Sequence, residues 1–190
     1  MRVLIACEYS GVVRDAFTRA GHWAVSCDLL ASDTPGWHYM GDVLECLNDG
    51  WDLMIAHPPC THLAVSGAKH FHKKQDLQIE ALNFVRALMD ANIPRICIEN
   101  PVSIISSRIR KPDQIIQPWQ FGDPYQKTTC LWLKNLPNLV PTRVVDKGEF
   151  VVTPSGKKLP KWYSDNKNPK VRSKTFQGIA DAMANQWGLL

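Results

Sequence analysis

No stretch of this 190-residue chain is apolar for long enough to span a bilayer. The apolar run near its start, Val3-Leu4-Ile5-Ala6, gives way to Cys7-Glu8 too soon to form the core of a secretory leader. Both absences point to a cytoplasmic protein with no membrane partner. Paired-cysteine spacings are missing too. The chain has six cysteines but no CxxC. Cys7, Cys27, Cys97 and Cys130 lie in apolar, strand-like segments, where cysteine behaves as a small hydrophobe, so a disulfide framework is not expected. His57, Cys60 and His62 form an HxxCxH spacing with no second cysteine pair to complete it, and no metal site is expected. His70 and His72 read as polar loop residues. Glycine is scarce where a phosphate would need it. The turn Glu8-Tyr9-Ser10-Gly11 has one glycine where a GxGxxG fingerprint needs three, which disfavours a dinucleotide.

What is present is a chain 45% hydrophobic, enough to bury a core within one domain. Residues 2–7 read as a buried strand. Ser10 is placed to cap a helix in which Val13, Ala16, Phe17 and Ala20 recur at helical spacing until Gly21. Residues 23–27 form a second strand closed by Asp28, and residues 32–37 a loop. Residues 52–56 predict a strand. Residues 75–91 predict a helix with Leu77, Ala81, Phe84, Val85 and Leu88 on its buried side, and residues 95–99 another strand. This alternation predicts an α/β fold with a mainly parallel sheet. Residues 115–121 and 129–133 read as further strands. Residues 137–169 read as loops with one hairpin around 150–153. Residues 178–187 read as a closing helix with Ile179, Met183 and Trp187 aligned.

Charge is unevenly spread. Residues 143–174 hold nine basic residues against Asp146, Glu149 and Asp165, a net of +6 in a chain whose total is +4. A basic segment on a near-neutral body suits a polyanion such as nucleic acid. In an open parallel sheet, ligands sit outside the carboxyl ends of the strands, and Cys7, Asp28, Asp42, Cys60 and Glu99 all fall at or just beyond such ends. An acidic residue in the place of Asp28 can accept from ribose hydroxyls, or simply hold a turn. Cys60 follows Pro58-Pro59, which stiffen the backbone, and precedes polar Thr61-His62, so it reads as an exposed thiol. Glu99 ends an apolar strand, where burial raises a carboxyl pKa and leaves it partly protonated. A thiolate and a carboxyl converging on one ring are suited to attack on a pyrimidine. Trp119, Trp132 and Trp162 read as core or partial core. A Cys60–His62 hydrolase would leave Asp28 and Glu99 without a role.

Taken together, these motifs resemble the cytosine-C5 DNA methyltransferase family, in the family's order. Leu4 to Gly11, with Cys7, Glu8, Tyr9 and Ser10, occupies the place of its first cofactor motif. Asp28, followed by Leu29, matches the acidic residue that holds the cofactor ribose. Gly41-Asp42-Val43 looks like the acidic position near the adenine. Pro58-Pro59-Cys60, through Ser66-Gly67, matches the catalytic loop, and Glu99-Asn100 the catalytic Glu-Asn pair. Gln126-Lys127-Thr128-Thr129 stands where the family has a Gln-and-Arg motif, with Lys127 in place of the arginine as a point charge. Gln177-Gly178 resembles the motif that closes the cofactor pocket.

The resemblance implies a Rossmann-like S-adenosylmethionine-dependent methyltransferase fold with helices on both faces of the sheet. It implies a methyl group moved from S-adenosylmethionine to C5 of cytosine in DNA, with Cys60 added to C6 and Glu99 binding N3 and the exocyclic amine. The target base would leave a duplex stack to be reached. Residues 134–173 are then a short, basic, loop-rich insertion in place of a target-recognition domain, better suited to phosphates than to base edges. Such a minimal enzyme suits a phage, acting in the host cytoplasm. The alternatives are C5 modification of a free pyrimidine nucleotide or RNA, and a non-catalytic nucleic-acid-binding module with the same fold.

Overall fold

The computed structural model describes residues 1–190, with His70 described by its backbone alone, so the expectation for that side chain lies outside the described residues. Short apolar runs build β1 (Arg2–Ala6), β2 (Trp23–Asp28), β3 (His38–Met40), β4 (Leu53–Ala56), β5 (Arg95–Asn100), β6 (Gln114–Ile116) and β7 (Thr129–Lys134). These seven form one sheet in the order β3-β2-β1-β4-β5-β7-β6. Strands β1 to β5 pair in parallel. Only β7 runs the other way, antiparallel to both β5 and β6. β8 (Phe150–Val152) and β9 (Lys158–Pro160) form a separate antiparallel hairpin, where the turn residues around 150–153 predicted one. The helices are α1 (Val12–Arg19), α2 (Gln75–Met89), α3 (Ile105–Arg108), α4 (Lys161–Asp165), α5 (Pro169–Ser173) and α6 (Gln177–Trp187).

Both faces of the sheet are covered, which is why its central strands are almost wholly apolar. Leu4, Ala6, Met54, Ala56, Ile96 and Ile98 share one core with Leu82, Val85 and Leu88 of α2. Val3, Ile5, Leu53, Ile55 and Cys97 share the other with Val13, Ala16 and Phe17 of α1 and Ile179, Met183 and Trp187 of α6. This is the mainly parallel α/β sheet with helices on both faces that the sequence predicts.

Several local expectations are corrected. Leu77 is exposed, because the buried stripe of α2 begins only at Ala81 and Leu82. Residues 115–121 divide into β6 and a 3-10 turn at Pro118–Gln120, since Pro118 has no amide for a ladder. α4 and α5, each five residues long, lie in segments read as loops, β3 follows the loop read over residues 32–37, and exposed His72 falls in a 3-10 helix, Val65–Lys73.

The start of α1 differs most. The cap position falls to Gly11 at φ 76°, not to Ser10, although Ser10 Oγ accepts from the first helical amide, that of Val12, at 3.4 Å. The next two amides, those of Val13 and Arg14, donate to the Glu8 carboxylate at 2.8 and 3.1 Å. Ser10 Oγ donates to the same carboxylate at 3.1 Å. Gly11 is needed because a Cβ there would collide with Thr34 and Arg14. Arg14 itself is buried, and its guanidinium gathers the loop that follows β2.

Candidate active site at the carboxyl edge of the sheet

β1 pairs with β2 on one side and β4 on the other. The strand order therefore reverses between β1 and β4, and the crevice beyond their carboxyl ends is where an open α/β sheet binds ligands. A cavity lies there, walled by Cys7, Glu8, Tyr9 and Ser10 after β1, by His57 after β4, and by Ser173 at the end of α5 with Lys174 and Thr175 beyond it.

The parallel register of β4 and β5 sets the rest of the site. Leu53 lies beside Arg95 and Ala56 beside Ile98, so the next residues, His57 and Glu99, are neighbours, as are Pro58 and Asn100. His57 Nδ1 is 3.0 Å from Glu99 Oε2, with both side chains about nine-tenths buried. Asn100, buried, donates from Nδ2 to the Pro58 carbonyl at 2.8 Å, tying the Pro-Pro-Cys loop to β5. The loop then turns on the Cys60 carbonyl, which accepts from the amides of Leu63 and Ala64 at 3.0 and 2.9 Å. It is pinned to residues 102–104 by Val65 N–H to the Val102 carbonyl and Ile104 N–H to the Leu63 carbonyl. Cys60 stands exposed at its tip.

Electrostatics link these groups. Burial pushes the Cys60 thiol upward despite the exposed loop, and the Glu99 charge adds to this. The thiol's own backbone amide and Lys127 pull the other way without prevailing. The resting thiol is therefore protonated near neutral pH. For Glu99, burial also pushes upward, but the hydrogen bond and charge of His57, aided by Lys127, hold the carboxyl below its ordinary value. This corrects the expectation of a partly protonated Glu99. The residue responsible, His57, entered the sequence reading only as a metal-ligand candidate. Its position at the end of a strand neighbouring the Glu99 strand was the available signal, and it became informative only with the register. An ionised Glu99 accepts a hydrogen bond from His57 Nδ1–H. The other nitrogen, Nε2, is buried and has no hydrogen-bond partner among the described residues.

Removing His57 is expected to reverse the balance at Glu99. The lowered pKa means that the pair stabilises the fold above the unfolded carboxylate range and loses that contribution as pH falls through the folded value. In His57→Ala burial acts unopposed by the imidazole and the carboxyl pKa rises. Unfolding free energies of the two proteins from urea titration should thus agree in acid and separate as pH rises to neutral, by about 3 kcal/mol. Parallel curves across that window would show that the pair does not control Glu99.

The residues predicted to bind a cofactor fall into two groups. Asp28 and Asp42 both stand near enough to Cys7 that, after burial, their charges help push its thiol up to about 12. Each keeps one oxygen on a local amide, Asp28 Oδ1 on Leu30 N–H at 2.9 Å and Asp42 Oδ1 on Leu44 N–H at 3.0 Å. Neither Oδ2 has a partner among the described residues. Leu29, beside Asp28, is exposed. The second group has other work. Glu8 is buried on the amides of α1. Gly11 makes room for Thr34 and Arg14, and the side chain of Val43 is in the core. Gly178 donates its amide to Asp123 Oδ2 at 3.0 Å and lies so close to the Phe121 carbonyl that a Cβ would collide. Tyr9 donates its hydroxyl to the Lys170 carbonyl at 2.9 Å and meets Ser173 Oγ at 3.0 Å. With the Lys174–Asp33 ion pair at 2.8 Å, this lays residues 170–175 across the cavity. Lys127 Nζ donates to the Lys174 carbonyl at 3.2 Å, so the lysine standing in the arginine position joins this strap to Glu99 and Cys60.

Among the described residues no three His, Cys, Asp or Glu side chains are grouped to hold a metal ion, and no helix is long and apolar enough to cross a membrane. No family model and no curated protein matches the chain. Similar solved structures include the methyltransferase EhMeth of Entamoeba histolytica, 14% identical with a TM-score of 0.50 over 76% of this chain and 57% of that one. They also include a protein described as a candidate DNA modification methyltransferase encoded within an Escherichia coli prophage, 16% identical with a TM-score of 0.49 over 77% of this chain and 52% of that one. This chain thus corresponds to little more than half the length of either. Its mainly parallel α/β fold is similar to that of EhMeth.

Proposed function

We propose that the protein transfers a methyl group from S-adenosylmethionine to C5 of cytosine in DNA, by way of a covalent bond between Cys60 and C6. The observation that carries this reading is the assembly of Cys60, Glu99, His57 and Lys127 beside the crevice where the strand order reverses.

The crevice fits a nucleoside-bearing cofactor in its donor set. Asp28 and Asp42 stand close to Cys7 in its wall, each with a carboxylate oxygen for hydroxyl or amino groups, and His57 in the wall keeps Nε2 without a protein partner. S-Adenosylmethionine supplies an electrophilic methyl group on a sulfonium centre. The chain's own residues supply the rest. Pro58, Pro59 and Asn100 fix the loop so that the Cys60 thiol can meet a ring lying against Glu99. At rest the thiol carries its proton and the carboxyl does not. Charge balances if the proton leaving Cys60 ends on Glu99. That single transfer makes the thiolate that adds to C6 and the protonated carboxyl that donates to N3, while the other carboxyl oxygen accepts from the exocyclic amine. C5 becomes nucleophilic once C6 is tetrahedral. After methylation, loss of the C5 proton and elimination of Cys60 restore the aromatic ring. The +6 of residues 143–174 supports a polymer over a free nucleotide as the substrate.

The test is incubation with S-adenosylmethionine labelled in its methyl group and, side by side, single-stranded DNA, duplex DNA, RNA and dCMP. Label in DNA, recovered as 5-methylcytosine, is the expected result. Label in dCMP or RNA alone would move the substrate. No label anywhere, with no cofactor binding by calorimetry, would overturn the reading in favour of a binding module.

A further inference from the structure

A second recess opens beside the candidate active site. Its walls are the loop before β7 (Pro124, Tyr125, Gln126), residues 147–149, and residues 160–166, including Trp162 and Asn166. Gly148 makes the fold of these walls possible. It adopts φ 80° and approaches the Pro124 carbonyl so closely that no Cβ would fit. The amide of Lys161 donates to the Glu149 carbonyl at 2.8 Å and closes the far side.

The lining has a specific character. Tyr125 and Trp162 present rings 6.1 Å apart, and each packs on Phe176, at 5.6 and 5.1 Å. Tyr125 remains 37% exposed. Its hydroxyl and the side-chain amide of Gln126 have no hydrogen-bond partner among the described residues. The charged residues in the wall cancel, since Lys147 and Lys161 stand against Glu149 and Asp165, with Lys161 and Asp165 paired at 2.6 Å. A neutral recess with aromatic faces and a free amide suits a base rather than a phosphate. The uncancelled cations of the segment, among them Lys157, Lys158, Lys167 and Lys170, are outside it, where a backbone would run. The recess also adjoins the reactive groups. Lys127, next to Gln126, lies 5.8 Å over the Phe176 ring and acts electrostatically on Cys60 and Glu99.

We infer that this recess seats an unpaired base of the polynucleotide next to the target cytosine, stacked on Tyr125 and Trp162 and read at its edge by Gln126. The assignment rests on the nucleic-acid reading above and makes a single strand, or a locally opened duplex, the form of substrate that is bound. A free mononucleotide would leave the recess empty.

The test is fluorescence anisotropy with a short labelled single-stranded DNA, the same sequence as RNA, and the duplex, using the full chain without cofactor. Tyr125→Ala and Trp162→Ala should each weaken single-strand binding by about 10- to 100-fold, whereas Trp162→Phe, which keeps an aromatic face, should stay within a few-fold. The slope of affinity against salt should be the same in all of them, because no phosphate contact is removed. A preference between DNA and RNA identifies the polymer and supports the recess in either case. Alanine variants that bind the single strand as wild type does would overturn it. If Trp162→Ala loses its fold, Trp162 emission decides. Adding the oligonucleotide should quench wild type more than Trp162→Phe, and equal quenching would overturn the assignment. Cys60→Ala should bind as wild type, so failure of methyl transfer and failure of the recess are separate results.

Discussion

Cys60→Ala is expected to abolish methyl transfer to cytosine, by about 10⁴-fold or more, with unchanged thermal stability. The stability half of this expectation follows from exposure, since the thiol fills no core space. The activity half follows from what no neighbour can supply. Of the six cysteines only Cys60 is exposed, and Glu99 serves the proposed step as proton acceptor, not as nucleophile. A companion experiment detects the bond itself. DNA carrying 5-fluorocytosine has no proton at C5 to lose after methylation, so Cys60 cannot be eliminated and the adduct should persist through denaturation. It should form with wild type in the presence of the cofactor and be absent from Cys60→Ala. A variant within a few-fold of wild type, together with no trapped adduct, would exclude a covalent route through this residue.

Arg14→Met is expected to cost the most stability, about 3–5 kcal/mol by urea denaturation. Arg14 is 1% exposed, and its guanidinium is fully engaged. Nε donates to Asp15 Oδ1 at 2.8 Å, Nη1 to Ser26 Oγ and Ser32 Oγ at 3.1 and 3.0 Å, and Nη2 to Thr34 Oγ1 at 2.6 Å and the Pro35 carbonyl at 3.0 Å. Methionine fills the space of the stem but removes the donor from buried Ser26 and unties the half-buried loop acceptors at Ser32, Thr34 and Pro35. Lysine, a point charge, recovers only part of the fork, so Arg14→Lys should fall between the two. The same loop contains Asp33, whose carboxylate holds Lys174 over the cavity, so the weakened protein should also hold that strap less firmly. A methionine variant within about 1 kcal/mol of wild type would show that the loop does not depend on this cation.

The sheet was readable in the sequence because its strands are apolar runs ended by Asp28, Pro58 and Asn100, and because the helices between them keep an apolar period. The two-sided core followed from the same runs. Less readable were elements too short to show a period, such as β3, α4 and α5. So were groups whose roles come from distant partners. Arg14 sits among apolar helix residues and nothing local marks it as a buried hub. Glu8 carries an acidic side chain at a ligand-binding edge, yet its neighbour in space is the start of α1, where free amides attract it. Cys60 and Glu99 were both visible as candidates from strand ends and proline placement. The ionisation of Glu99 was not, since it depends on which residue following β4 lies beside it.

That pairing has a consequence for how the protein can vary. His57 and Pro58 meet Glu99 and Asn100 only because two buried strands are hydrogen-bonded in one frame. Adding or deleting a residue within β4 or β5 would shift the frame by one and exchange the partners, while turning each strand's core side chains to the opposite face. The reactive groups thus inherit their spacing from the apolar interior. Length changes confined to the surface loops of residues 137–169 leave that frame untouched, so new substrate preferences can be acquired there without realigning the residues that would perform the chemistry.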